Sequence, residues 1–137
     1  MGRPNQKEIE NVSTQPGGVD VVATAINPTS GQREMLFIKI FRIPVNKYVI
    51  EWPAGFVDDG ETGMEAAIRE LKEEGGYVGT PVYCSKGHRT DAWKSADSGC
   101  LAFVDIDLSL DENKNPATDL EPAEDIETFW LPVENVL

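Results

Sequence analysis

Glu70, Glu73 and Glu74 stand at i, i+3 and i+4, a spacing that puts three carboxylates on one side of a helix. Like charges placed this way cost about 0.2–0.5 kcal/mol per pair. A bound hard cation removes that cost, because Mg²⁺ favours carboxylate oxygens and keeps positions open for water and phosphate. Arg69 precedes Glu70, and Glu61 lies in the loop before the helix. An Arg here is placed to neutralise and orient the carboxylates rather than to touch a substrate. Three glutamates alone are also what an ordinary solvated helix face carries, since Glu is a good helix former. The wider pattern changes that balance: Gly55, Glu61, Arg69-Glu70-Leu71, Glu73-Glu74 and Gly76 follow one another at fixed spacing. Average residue frequencies give such a combination on the order of once in 10⁹ starts.

A helix must present these groups, and its limits are written around them. Thr62 and Glu65 have capping-box spacing, in which each side chain satisfies a free amide of the first turn. Met64, Ala67, Ile68 and Leu71 form an apolar stripe with helical spacing, roughly opposite the carboxylates. The helix is therefore expected to bury one face and present the acidic face outward, ending at Gly75-Gly76. Strand-like stretches flank it at Val19–Ile26, Met35–Arg42, Tyr48–Trp52, Val82–Cys84, Cys100–Leu108 and Ile126–Leu131. The turn residues Asn27-Pro28-Thr29-Ser30-Gly31 make the first two a hairpin, and Pro53 stops the third. Ala54–Gly60, Lys86–Gly99 and the acidic Asp111–Asp125 read as loops. The order predicts an α/β fold, a mixed sheet with at least one helix packed on it. Residues 1–18 are polar and close on Pro16-Gly17-Gly18, which predicts a flexible N-terminal arm ahead of a domain spanning 19–137.

Composition narrows the partners. The chain has 137 residues, enough for one domain with a real core. Lys and Arg total 12 against 24 Asp and Glu, a net charge of −12. That balance argues against nucleic acid and against anionic membranes as partners. A small phosphorylated ligand remains open, because a cation held by carboxylates reverses the local sign. No apolar run approaches the roughly 18 residues that span a bilayer, and the polar start Met1–Glu10 is no secretory signal. Cys84 and Cys100 are too few for a disulfide framework and lack metal-ligand spacing. They read as ordinary buried or half-buried thiols of a reducing compartment, so the cytoplasm is expected, with the nucleus as the alternative.

The spacing resembles the Nudix box, Gly-x5-Glu-x7-Arg-Glu-U-x-Glu-Glu-x-Gly-U, where U is a bulky apolar residue; Tyr77 stands at the last position. Within the Nudix hydrolase superfamily the flanks are similar to the ADP-ribose and ADP-sugar pyrophosphatases, through Phe41-Arg42-Ile43-Pro44, the run from Glu51 to Thr62, and Glu124-Asp125-Ile126-Glu127. The resemblance implies a Nudix-type α/β/α sandwich around a mixed β-sheet. It also implies Mg²⁺-dependent hydrolysis of a nucleoside diphosphate sugar, ADP-ribose first, to AMP and ribose 5-phosphate. Carried over by position, Glu70, Glu73, Glu74 and the backbone carbonyl of Ala54 hold two or three Mg²⁺, for which Mn²⁺ is a substitute. Gly55, Glu61, Arg69 and Gly76 support the box geometry. Glu124 matches a loop carboxylate that acts as general base, with Glu73 and Glu74 in the catalytic group. Arg42 is a substrate contact or a structural ion pair. Trp93 and Asp91 occupy a loop in which Trp93 stacks on base or sugar, or packs on the sheet. The lone His88 reads as a surface residue whose loop can approach substrate. The family usually continues past this C-terminus into another helix, so a domain shortened there is expected, and a homodimer is implied by the family's composite sites. The alternatives are another nucleotide substrate, such as a dinucleotide or oxidised nucleotide, and a catalytically silent nucleotide-binding module.

Overall fold

The computed structural model describes residues 15–136. Residues 1–14 of the expected arm lie outside them. From Gly17 the chain is already tied down, since the Gly17 amide donates to the Ser98 carbonyl at 3.1 Å. Strands β1 (Gly18–Ile26), β2 (Arg33–Arg42), β3 (Lys47–Glu51) and β4 (Ala54–Phe56) come first. Helix α1 (Gly63–Glu70) follows and runs on as a wider π-helical turn, Leu71–Gly75. Then come β5 (Thr80–Cys84), β6 (His88–Arg89), β7 (Ser98–Asp105), the short helix α2 (Asp111–Lys114) and β8 (Ile126–Pro132). The sheet is mixed. β1 pairs in parallel with β7, from Gly18 opposite Gly99 to Thr24 opposite Asp105, while its other edge takes β2 at one end and β4 at the other. β2 also carries β3 and β8, both antiparallel.

All three segments read as loops contain regular structure, the acidic one opening with the short helix α2 and the other two each holding a short strand. Ala54–Phe56 is a strand, because Gly18, Val19 and Asp20 at the start of β1 offer it an edge. His88–Arg89 pairs with Ser98 and Gly99. Neither stretch is long enough to show the alternation by which a strand is recognised in sequence.

The capping box forms as the spacing requires: the Glu65 amide donates to Thr62 Oγ1 at 3.2 Å, and the Thr62 amide donates to Glu65 Oε2 at 2.8 Å. Ala66, Ala67 and Leu71 are buried against Val19, Val21, Ala23, Cys100, Ala102 and Val104, with Met64 and Ile68 packed at the margin. Tyr77, in place of the usual aliphatic residue, meets Trp130 edge to face at 5.4 Å, and its hydroxyl accepts from Trp130 Nε1 at 3.2 Å. Gly76 ends the helix at φ 80°, the left-handed conformation that favours glycine. A Cβ there would also stand 2.8 Å from the Ala117 amide nitrogen, so the acidic loop passes directly over the helix end. The Asp119 amide fixes that crossing by donating to the Glu73 carbonyl at 2.8 Å, which satisfies one of the helix's orphan acceptors. Among the described residues no helix is long and apolar enough to cross a membrane.

Replacing Thr62 by Ala removes the acceptor for the Glu65 amide. Urea denaturation is expected to show a loss of about 1 kcal/mol, and no loss would contradict the capping assignment.

Candidate active site

Arg69 sits on the last turn of α1 and donates through all three guanidinium nitrogens. Nε and Nη2 grip Glu61 at 2.7 and 3.0 Å, Nη2 reaches the Phe56 carbonyl at 2.9 Å, and Nη1 reaches Glu70 at 2.8 Å and Glu73 at 3.3 Å. The guanidinium has five N–H donors, and these five bonds occupy them. This arrangement holds the Glu61 carboxyl down to about 2, chiefly through Arg69 and then through the Asp58 amide. Glu61 is thereby a fixed anion that ties the loop to the helix.

The acidic face of the helix does not look outward. Glu74 is 8% exposed, and its Oε2 accepts from the Ala54 amide at 3.1 Å. Glu70 lies over β4, where a Cβ at Gly55 would overlap its carboxylate. The helical spacing placed these groups together, but the missing side chain at Gly55 is what lets them fold inward. Burial pushes both carboxyls up. Glu74 reaches about 7, with the charges of Glu70 and Glu124 adding to the effect and the Ala54 amide opposing it. Glu70 moves in the same direction, limited by its bonds to Arg69. Glu73 stays at the margin, its side chain 40% exposed.

Of these three glutamates Glu74 lines a cleft of about 1280 Å³, with Ala54, Gly55, Arg42 and Glu124, while Glu70 and Glu73 stand outside its lining. Glu124 comes from the acidic loop, where its Oε1 accepts from the Glu121 amide at 2.8 Å. Arg42, at the end of β2, is held by Glu51 through bonds of 2.7 and 3.2 Å. The ion pair and a cleft position therefore coexist. Trp93 and Asp91 are not brought to the cleft. Trp93 is 83% exposed with Lys94 over its ring at 5.4 Å, and Asp91 pairs with Lys94 at 3.4 Å. His88 is exposed on β6. Residues that sequence reasoning passed over also line the cleft, notably Asp20, Phe41, Tyr48, Thr90 and Ser98. The β1–β4 pairing, which sets Asp20 opposite Ala54, is the signal for Asp20, and it is not visible before β4 is known.

Comparison with known proteins bears on what this geometry belongs to. The sequence profile of the NUDIX domain matches residues 19–137. The chain belongs to the Nudix family. The ADP-ribose pyrophosphatase of Saccharomyces cerevisiae is 41% identical over 92% of this chain and 58% of its own length. The ADP-sugar pyrophosphatase of Mus musculus is 31% identical over 99% of this chain and 64% of its own length. The chain thus spans about three-fifths of these two curated relatives. Among solved structures, an ADP compounds hydrolase superposes with a TM-score of 0.65 at 19% identity, over 88% of this chain and 60% of that one. The Caenorhabditis elegans Ap4A hydrolase binary complex superposes at 0.57 and 21% identity, over 87% and 81%. Both share the fold, a mixed sheet with the Nudix helix packed on it.

A divalent cation fits the donor chemistry of the Nudix helix. Glu70, Glu73 and Glu74 are hard oxygen donors, one guanidinium serves Glu70 and Glu73 together with Glu61, and Glu74 is pushed up by burial and by its neighbours' charge. Their oxygens are turned to Arg69 and to the Ala54 amide, so among the described residues they do not form a ready-made metal cluster.

The raised Glu74 carboxyl carries a sign for stability. The unfolded chain releases this proton near 4.5 and the folded chain near 7, so between those values the folded state binds more protons and stability falls as pH rises. Glu74→Gln removes this contribution. Urea denaturation of the metal-free proteins is expected to find the variant more stable than the parent at pH 8, by an amount on the order of 3 kcal/mol, and nearly equal at pH 4. Equal stability at both pH values would contradict the buried, uncompensated state of Glu74.

Proposed function

We propose that this protein hydrolyses the pyrophosphate bond of a nucleoside diphosphate sugar, with ADP-ribose favoured and AMP and ribose 5-phosphate as products. The observation that carries this reading is the inward-turned pair of carboxylates, buried Glu74 and half-buried Glu70, beside an open cleft bordered by Arg42 and Glu124. The names of the yeast and mouse relatives support the choice of substrate.

Glu70, Glu73, Glu74 and the Ala54 carbonyl would hold two or three Mg²⁺, with Mn²⁺ as a substitute. Bound divalent ions supply the positive charge that offsets the pyrophosphate and lowers the pKa of water. The protein's own groups do the rest. Arg42, steadied by Glu51, offers the free edge of its guanidinium to a phosphate or to the neighbouring base. Glu124 reaches the cleft from a loop and takes the proton of the attacking water as general base. Arg69 and Glu61 bond each other and keep the glutamates oriented without touching the substrate. Trp93 and Asp91 enter the substrate contacts only if their hairpin tip moves toward the cleft. A homodimer belongs to the same reading, supported by the exposed Ile43, Val45 and Ile50 on the β2–β3 hairpin, which are 83, 56 and 58% accessible.

Product chromatography after incubation with ADP-ribose, ADP-glucose and diadenosine polyphosphates tests it, with and without Mg²⁺. AMP from ADP-ribose only when Mg²⁺ is present is the expected result, with Glu73→Gln and Glu74→Gln each slowing turnover on the order of 100-fold or more. Folded protein that turns over no substrate would overturn the enzymatic reading in favour of a binding module. Turnover of another nucleotide alone would overturn the substrate.

A further inference from the structure

The chain has two cysteines, and the fold lays them side by side, neither of them in the lining of the cleft. Cys84 closes β5, and Cys100 lies near the start of β7. Those strands are antiparallel with Cys84 opposite Ala102, so Cys100, two residues along, projects from the same face of the sheet. The two sulfurs are 3.7 Å apart. Cys100 is 1% exposed, while Cys84 is partly accessible.

Directly over both sits Gly63, the first residue of α1. A Cβ on Gly63 would stand 2.5 Å from Cys100 Sγ and 3.2 Å from Cys84 Sγ. The start of the carboxylate helix therefore rests on the two thiols. Ser85, the residue after Cys84, is held to β7 by two bonds, its amide donating to the Leu101 carbonyl at 2.8 Å and its Oγ accepting from the Leu101 amide at 2.9 Å. That tie keeps the end of β5 beside β7 and the two sulfurs in reach of one another. Burial, and then the neighbouring Cys84, pushes the Cys100 thiol up to about 12, which leaves the accessible Cys84 as the sulfur that meets an oxidant first.

We propose that Cys84 and Cys100 are a redox modification site, closing to a reversible intramolecular disulfide when the protein meets a peroxide. The Cys84 thiolate attacks one peroxide oxygen and the O–O bond breaks, giving a Cys84 sulfenic acid and hydroxide, which takes up the proton that Cys84 lost. Cys100 Sγ then attacks the Cys84 sulfur. The S–S bond forms, the S–O bond breaks, and the hydroxyl leaves as water with the Cys100 proton. Two thiols lose two electrons and two protons, and one peroxide becomes two waters. Closing the sulfurs from 3.7 Å to about 2 Å ties β5 to β7 beneath the first turn of the helix. The proposal does not depend on the substrate assigned above.

Treating the full chain with hydrogen peroxide, alkylating it under denaturing, non-reducing conditions and measuring its intact mass and peptides tests this. The expected product is a monomer lighter by two hydrogens that takes up no alkylating agent, contains one peptide pair joined between Cys84 and Cys100, and regains both thiols with dithiothreitol. Cys84→Ser and Cys100→Ser, which conserve side-chain shape, each abolish that product. Alkylation of both thiols after peroxide, stable addition of oxygen to Cys84, or a disulfide between two chains would overturn the proposal, and the parent protein alone decides among these.

Discussion

The Arg69 guanidinium binds three carboxylates and a main-chain carbonyl at once, and the placement of the acidic helix over β4 depends on it. A charge-assisted network of this kind is stronger than isolated surface pairs. It also sets a limit. One cation serves Glu61, Glu70 and Glu73, while Glu74 has only the Ala54 amide. The most deeply buried of these carboxylates bonds no cation among the described residues, with the more distant charge of Arg42 opposing its burial, and its carboxyl responds by holding its proton to about pH 7. Buried anions arranged this way lower the stability of the bare protein, so the fold tolerates strain where the proposed chemistry needs negative charge.

Several local features keep that strain in register. Gly55 leaves room for Glu70, and Gly76 leaves room for the acidic loop. Asn113, 3% exposed, anchors the same loop by bonding both the amide and the carbonyl of Val78, at 2.8 and 2.9 Å. Glu124 therefore reaches the cleft from a segment pinned at its near end, although the loop carries little regular structure. The capping box and the apolar stripe do the equivalent task for the helix, one fixing where it starts and the other which face it buries.

Much of this was legible in the residue order. The cap at Thr62, the stripe from Met64 to Leu71 and the stop at Gly76 follow local rules, and local rules act through neighbours a few residues apart. The inward turn of Glu70 and Glu74 was not legible, because it depends on β4 lying across the helix, and β4 exists only once β1 offers its edge. Asp20 lines the cleft for the same reason, by pairing between strands distant in sequence. Trp93 shows the opposite failure. An aromatic in a loop near the box reads as a stacking group, yet the β6–β7 hairpin carries it out to solvent beside Lys94. Tyr77 departs from the usual pattern without disturbing the core, since Trp130 supplies an edge-to-face neighbour and an N–H for its hydroxyl.

The central physical claim is that Glu74 holds a proton which a divalent cation must displace. Calorimetric titration of the protein with Mg²⁺ at pH 7, repeated in buffers of different ionisation heat, measures the protons released per cation bound. Binding accompanied by proton release, which fades by pH 9 and is lost in Glu74→Gln, is the predicted result. Mg²⁺ binding with no proton release at pH 7, or no binding by the folded protein, would contradict the account.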